Sequence, residues 1–164
     1  MIKLLGAIFI VFGASAYGAL KSGRLNYRSL NLDRLISSLV LLEMEISYGK
    51  KGLKDTLLSI GVSENMPLFT MSSEKIGELS VCEAFSYSIK NCDMCFSDSD
   101  KSVLYEFAAS LGSLDTLSQI KSIVHTRELL KIAQKEACEN YKRYGRLYRN
   151  MALLLGLLFS LILL

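Results

Sequence analysis

Two runs without a single charged side chain bracket this chain, and they limit what it can fold into more than any other feature. Residues 4–20 and 151–164 contain no Asp, Glu, Lys or Arg, and every charged residue except Lys3 falls within 21–149. The overall hydrophobic fraction of 51% is therefore an average over unlike parts. The middle stretch is roughly one-quarter charged, which is ordinary for a soluble domain. One modest soluble domain with an apolar segment at each end is expected. A length of 164 residues suits a single core and excludes a large multidomain enzyme. The hydrophobicity excludes a disordered chain. One proline and no tryptophan favour long helices over a turn-rich β fold.

Helical rise decides what the ends can do. At about 1.5 Å per residue the first segment spans about 27–29 Å, close to the roughly 30 Å of bilayer hydrocarbon. The last spans only about 21 Å, or about 27 Å if it reaches back to Leu147 with Arg149 snorkelling to the headgroups. The expected organisation is a transmembrane helix over 1–20, a cytosolic helical bundle over 21–149 and a short transmembrane helix over 150–164. A cleaved signal peptide is the rival at the N-terminus, with Lys3 as its basic region and Ala14-Ser15-Ala16 as a cleavage site. Charge argues against it. Lys21, Arg24 and Arg28 follow the first segment, and Lys142, Arg143, Arg146 and Arg149 precede the second. Both borders put positive charge on the domain side, so 21–149 should face the cytoplasm and both termini the other side. Tyr148 joins Lys21, Arg24, Arg28, Arg146 and Arg149 as the expected membrane-interface set. Ala14 and Gly18 form a small-xxx-small pair of the kind that lets membrane helices approach, but no strict GxxxG is present and the ordinary glycine content of a membrane helix is the simpler reading.

Between the ends the pattern is helical throughout. Apolar residues at 32, 35, 36, 39, 42 and 46 recur at three- and four-residue spacing and predict an amphipathic helix over about 31–48, continuous with the first segment. Gly49-Lys50-Lys51-Gly52 is a break. A short helix through Leu53, Leu57, Leu58 and Ile60 should end at Gly61. Pro67 suits a helix start, because the first turn has no use for its missing N–H. Ser80 with Glu83 forms a capping box. Residues 91–98 read as loop, and Gly112 is placed to stop a helix through Val103, Leu104, Phe107, Ala108 and Leu111. Ser113 or Asp115 can cap the next helix. From there to Tyr144 neither glycine nor proline intervenes, so one helix should run on into the last segment, with Leu117, Ile120, Val124, Leu130, Ala133, Ala137 and Tyr141 on one face. The class is all-α: a helical bundle of about six helices between N- and C-terminal transmembrane helices.

Charge falls in three blocks, net +4 over 21–54, −7 over 55–115 and +5 over 116–149. Basic stems beside anionic lipid and acidic helices in the cytosol account for it, and an acidic docking face for a basic partner is the sharper alternative. Chemistry is sparse. Cys92 and Cys95 have zinc-like spacing but no second close pair, and no βαβ context for redox work. A metal- or redox-responsive membrane sensor using them is the alternative function. Asp98 and Asp100 begin like a calcium loop but lack its glycine and closing glutamate; helix capping is their simpler role. Glu43 and Glu45 point about 200° apart on a helix and do not face each other as an acid–base pair. His125 has no nucleophile motif, and there is no phosphate-binding glycine loop. Tyr141, Tyr144 and Tyr148 alternate with basic residues, which before an apolar segment reads as an interfacial belt rather than a nucleic-acid patch. No catalytic residue, cofactor or metal is expected.

Several segments in order carry a resemblance: Lys3-Leu4-Leu5-Gly6-Ala7, then Leu42-Glu43-Met44-Glu45-Ile46-Ser47-Tyr48-Gly49, then Leu111-Gly112 ahead of Gln119, then Leu155-Gly156-Leu157-Leu158. At this length the chain resembles the stage III sporulation protein AB family of endospore-forming bacteria, most closely at its two ends and in the Leu-Glu-x-Glu-Ile-x-Tyr-Gly stretch. The family usually places a proline before the next leucine, where this chain has Gly52 before Leu53. The resemblance implies a noncatalytic membrane component of the mother cell–forespore channel complex, in the mother-cell membrane. It also implies kinship with the F-type platform proteins of type II secretion, whose helical bundles meet a hexameric ATPase. The implied partners are the sporulation secretion-type ATPase, other membrane proteins of the channel complex and the lipid bilayer. Self-association into a homo-oligomer is open, and no nucleic acid is implied. The docking residues on this reading are Glu43, Glu45, Tyr48 and Gly49.

Overall fold

The computed structural model describes residues 2–49, 51–111 and 115–163. Six helices follow one another: α1 (Ile2–Tyr48), α2 (Leu53–Ser63), α3 (Pro67–Lys75), α4 (Val81–Asn91), α5 (Asp98–Ser110) and α6 (Thr116–Leu163). The all-α expectation holds; apart from a single bridge between Ile76 and Leu79, the described residues form no β pairing. Gly112 and Ser113, expected as a stop and a cap, and Lys50 in the glycine-flanked break lie outside the described residues.

The number six counts the long end helices rather than lying between them. The apolar segments are the outer parts of α1 and α6, with no break where the bundle begins. Among the described residues no helix is long and apolar enough to cross a membrane. The expectation of two transmembrane helices thus gains no support from the architecture. In α1, Gly13, Ser15 and Gly18 dilute the apolar run before Lys21 ends it.

The chain forms two compact units, one of Met1–Ser29 with Lys135–Leu164 and one of Leu30–Gln134. The core of the second unit starts from α1, where Leu32, Leu35, Leu39 and Leu42 are all fully buried at the expected spacing. Phe69, Phe85 and Phe107, one each from α3, α4 and α5, fill its centre. Phe85 meets Phe69 edge-to-face at 5.7 Å and Phe107 at 5.9 Å. From α6 come Ile123 and Leu130, both fully buried. Leu130 and Ala137 of the predicted α6 face are buried, but the seam is offset toward its start: Ile123 is inside where Val124 was expected, and Leu117 is 61% exposed. Buried serines keep to themselves. Ser38, Ser72 and Ser88 each donate to the carbonyl four residues back, at 2.9, 2.7 and 2.9 Å.

Local signals set most of the short helices. Pro67 opens α3 at its first position. Ser80 and Glu83 form the predicted capping box on α4, and the Ser80 hydroxyl that donates to Glu83 at 2.7 Å holds that carboxyl below its ordinary pKa. Ser97 and Asp100 make a second box on α5. Gly61 does not end α2, which runs on to Ser63. A Cβ at Gly61 would lie 2.7 Å from Thr70 Cγ2 and 2.8 Å from Thr70 N, so the glycine lets α2 and α3 close on each other. We expect Gly61→Ala to cost about 1–3 kcal/mol by overpacking, although alanine is the better helix former. Urea denaturation followed by circular dichroism checks this, and a stabilised variant would refute the close-approach role.

Candidate functional site

The last turns of α1 carry the four residues singled out from the sequence, and they face different tasks. Glu43 turns inward within the second unit. Its Oε2 accepts a hydrogen bond from the Arg127 guanidinium of α6 at 2.6 Å. The two side chains are only 26% and 19% exposed, and Arg127 Nε is buried without a partner among the described residues. Glu45 stays with its own helix end. The Gly49 N–H donates to the Glu45 carbonyl at 2.7 Å. A Cβ at Gly49 would overlap that carbonyl and the Glu45 carboxylate, so the missing side chain lets the helix close tightly. Tyr48 is 88% exposed, with Met44 and Val40 one and two turns earlier also open to solvent. The structure therefore joins Glu45 to Gly49, leaves Tyr48 outside and commits Glu43 to an internal ion pair. Arg127 was not singled out from the sequence. It lies 84 residues from Glu43, and no local pattern announces a partner at that distance.

The membrane-interface set is gathered in the first unit. An apolar recess of about 270 Å³ is lined from α1 by Ala14, Tyr17, Gly18 and Lys21 and from α6 by Tyr148, Met151, Ala152 and Leu155. A Cβ at Gly145 would come 3.1 Å from Ser22 Oγ. The pairing is antiparallel: numbers rise along α1 as they fall along α6. Lys21 thereby comes to the level of Tyr148, and Ser22 to that of Gly145 and Arg146. Arg146 lines a neighbouring recess with Lys142, Tyr141, Gly145 and Ser22, and Arg24 lines another with Tyr17, Leu20 and Lys21. Arg28 is half-buried, and the Arg149 side chain lies outside the described ones. Gly18, one of the small pair read from the sequence, is buried.

The rest of the molecule offers little chemistry. All four cysteines are free thiols. Burial, with Asp93 adding to it, pushes the Cys92 thiol up, which makes it a poorer nucleophile and metal ligand at neutral pH. Among the described residues no three His, Cys, Asp or Glu side chains gather as a metal site. The sensor alternative thus finds no support. The loop that holds Cys92 and Cys95 is tied to α1 by Asn31, whose Nδ2 donates to the Met94 carbonyl at 2.9 Å. His125 lines a groove of about 360 Å³ between α5 and α6 with Glu106, Lys121 and Leu129. The two serines there, Ser110 and Ser122, bond to each other at 2.5 Å.

Fold and site together define an all-helical protein in which two long helices carry apolar ends and a phenylalanine-centred group of short helices occupies the middle of the chain. The chain belongs to the stage III sporulation protein AB family, whose family model matches residues 3–164, and it is accordingly a sporulation protein. It is 29% identical over 170 aligned positions to the stage III sporulation protein AB of Bacillus subtilis (strain 168), covering 99% of each chain. It is also similar to a solved structure of stage III sporulation protein AB, with a TM-score of 0.64 at 27% identity, across 70% of this chain and 96% of that one.

Proposed function

We propose that this chain is a noncatalytic membrane platform component of the mother cell–forespore channel complex and docks a secretion-type ATPase. Family membership supplies the sporulation setting. The observation that carries the membrane part is the antiparallel pairing in the first unit, which sets Lys21 level with Tyr148 and Ser22 level with Gly145 and Arg146. A membrane hairpin needs its basic borders at one depth, and the positive-inside rule then turns 21–149 toward the cytoplasm of the mother cell. Pairing also helps the start of the short second segment, because Met151, Ala152 and Leu155 have Ala14, Tyr17 and Gly18 as neighbours and need not meet lipid all round. The ATPase contact falls on the open end of α1. Tyr48 offers a large exposed ring, Glu45 a carboxylate beside it and Gly49 an uncovered backbone, whereas Glu43 supports that helix end from inside. Other membrane proteins of the complex are the remaining expected partners.

Capture of the tagged full chain from sporulating cells tests this. The chain should stay with membranes through a carbonate wash and bring the ATPase down with it. Tyr48→Ala combined with Glu45→Lys should lower ATPase recovery roughly tenfold, the loss typical of an aromatic anchor, with an unchanged circular dichroism spectrum. Undiminished recovery from that variant would remove the end of α1 from the docking surface.

A further inference from the structure

We infer that the first unit binds an anionic phospholipid, with an acyl chain in the recess between α1 and α6 and the phosphate on the basic side chains at its end. The inference rests on the membrane reading above and adds a specific ligand to it. The recess walls are almost entirely hydrocarbon: Ala14, Tyr17 and Gly18 on one side, Met151, Ala152 and Leu155 on the other. Buried Gly18 and small Ala14 and Ala152 leave room that larger side chains would fill. The recess runs the eight residues from Ala14 to Lys21, about 10 Å of helix. Lys21 and Tyr148 line one end of the recess from facing helices.

Among the described residues, none of Lys21, Arg24, Lys142 and Arg146 makes an ion pair. The sequence offers few candidates: α1 has no acidic residue before Asp33, and α6 has none after Glu139. Glu136, the next back, accepts a hydrogen bond from Asn140. Lys21 at the end of the apolar slot, with Lys142 and Arg146 in one neighbouring recess and Arg24 in another, matches a phosphate that carries its own hydrocarbon. Basic pockets between membrane helices on the cytoplasmic side recognise anionic lipid by the same means. A zwitterionic lipid would leave the net charge unanswered.

The test uses the full chain reconstituted in phosphatidylcholine bilayers with and without phosphatidylglycerol. Bilayer retention through a carbonate wash is read first, and the lipid kept after mild detergent extraction is then counted by native mass spectrometry. We expect phosphatidylglycerol to be retained in preference to phosphatidylcholine. Lys21→Gln and Arg146→Gln should each lower its retention about fivefold, and the pair roughly thirtyfold. Ala152→Phe, which fills the slot and leaves charge untouched, should bring retention down to that of phosphatidylcholine. Equal retention of both lipids, or an Ala152→Phe variant that keeps phosphatidylglycerol, overturns the site while the membrane reading stands. Release of the chain by the carbonate wash overturns both.

Discussion

Replacing Phe85 by alanine should unfold the second unit more readily than any other single truncation. Phe85 is 1% exposed and is the shared member of two edge-to-face pairs, with Phe69 at 72° and Phe107 at 89°. Its removal deletes the ring that joins α3, α4 and α5 and leaves a cavity that three helices border. Such a truncation costs about 3–5 kcal/mol, and each lost aromatic pair adds about 0.5–1.5 kcal/mol beyond area burial within that range. Small domains hold only about 5–15 kcal/mol in all, so the variant should lose much of its cooperative transition. Urea denaturation of the full chain, followed by circular dichroism, reads the shift in midpoint. Phe85→Leu should recover part of the loss. A Phe85→Ala midpoint within about 1 kcal/mol of the parent would mean that the ring trio is not the keystone of the core.

The second large effect is expected at the Glu43–Arg127 pair. With side chains 26% and 19% exposed, it lies between surface pairs, worth about 0–1 kcal/mol, and fully buried ones, whose disruption costs about 3–5 kcal/mol. We expect about 2 kcal/mol for Glu43→Gln. Among the described residues Arg127 already has one unpartnered buried nitrogen, and the substitution would remove the carboxylate that its guanidinium donates to. A double-mutant cycle with Arg127→Gln should show a coupling of about 1–2 kcal/mol; a coupling near zero would show that the contact contributes nothing. The result also governs how docking experiments are read. Charge reversal at Glu43 perturbs the attachment of α1 to α6, so lost ATPase capture in that variant reports on folding, whereas Glu45 and Tyr48 can be changed without touching this pair.

What could be read from the residues depended on how local the signal was. Pro67, the Ser80–Glu83 box and the breaker-free run into α6 act within a few residues of themselves, and each produced the expected element. Ser97 and Asp100 carried an equally local box, overshadowed by the calcium-like spacing of Asp98 and Asp100. Gly61 has the look of a stop, but its role depends on Thr70 in the neighbouring helix, and no property of α2 alone reveals that. The offset seam on α6 has the same origin, since periodicity gives a face only to within a residue and contact with other helices selects among them. At the candidate site, Glu43 and Glu45 look equivalent in the sequence. They diverge because one lies opposite an arginine of α6 and the other returns to its own helix end. The basic residues of the two apolar borders were legible singly, but the meeting of Lys21 with Tyr148 and of Ser22 with Arg146 follows from helix pairing.

The buried serines bear on how such a chain is made. Ser38, Ser72 and Ser88 occupy core positions yet return their hydroxyls to their own helix, so assembly asks no cross-helix polar partner of them. Before assembly the same hydroxyls are available to water. Each therefore removes a patch of stickiness from a helix that has been synthesised but has not yet met its neighbours, the stage at which exposed apolar faces aggregate. For a chain that already carries an apolar run at each end, a core with this many self-contained hydroxyls lowers the adhesive surface of the nascent protein at little cost to the finished one.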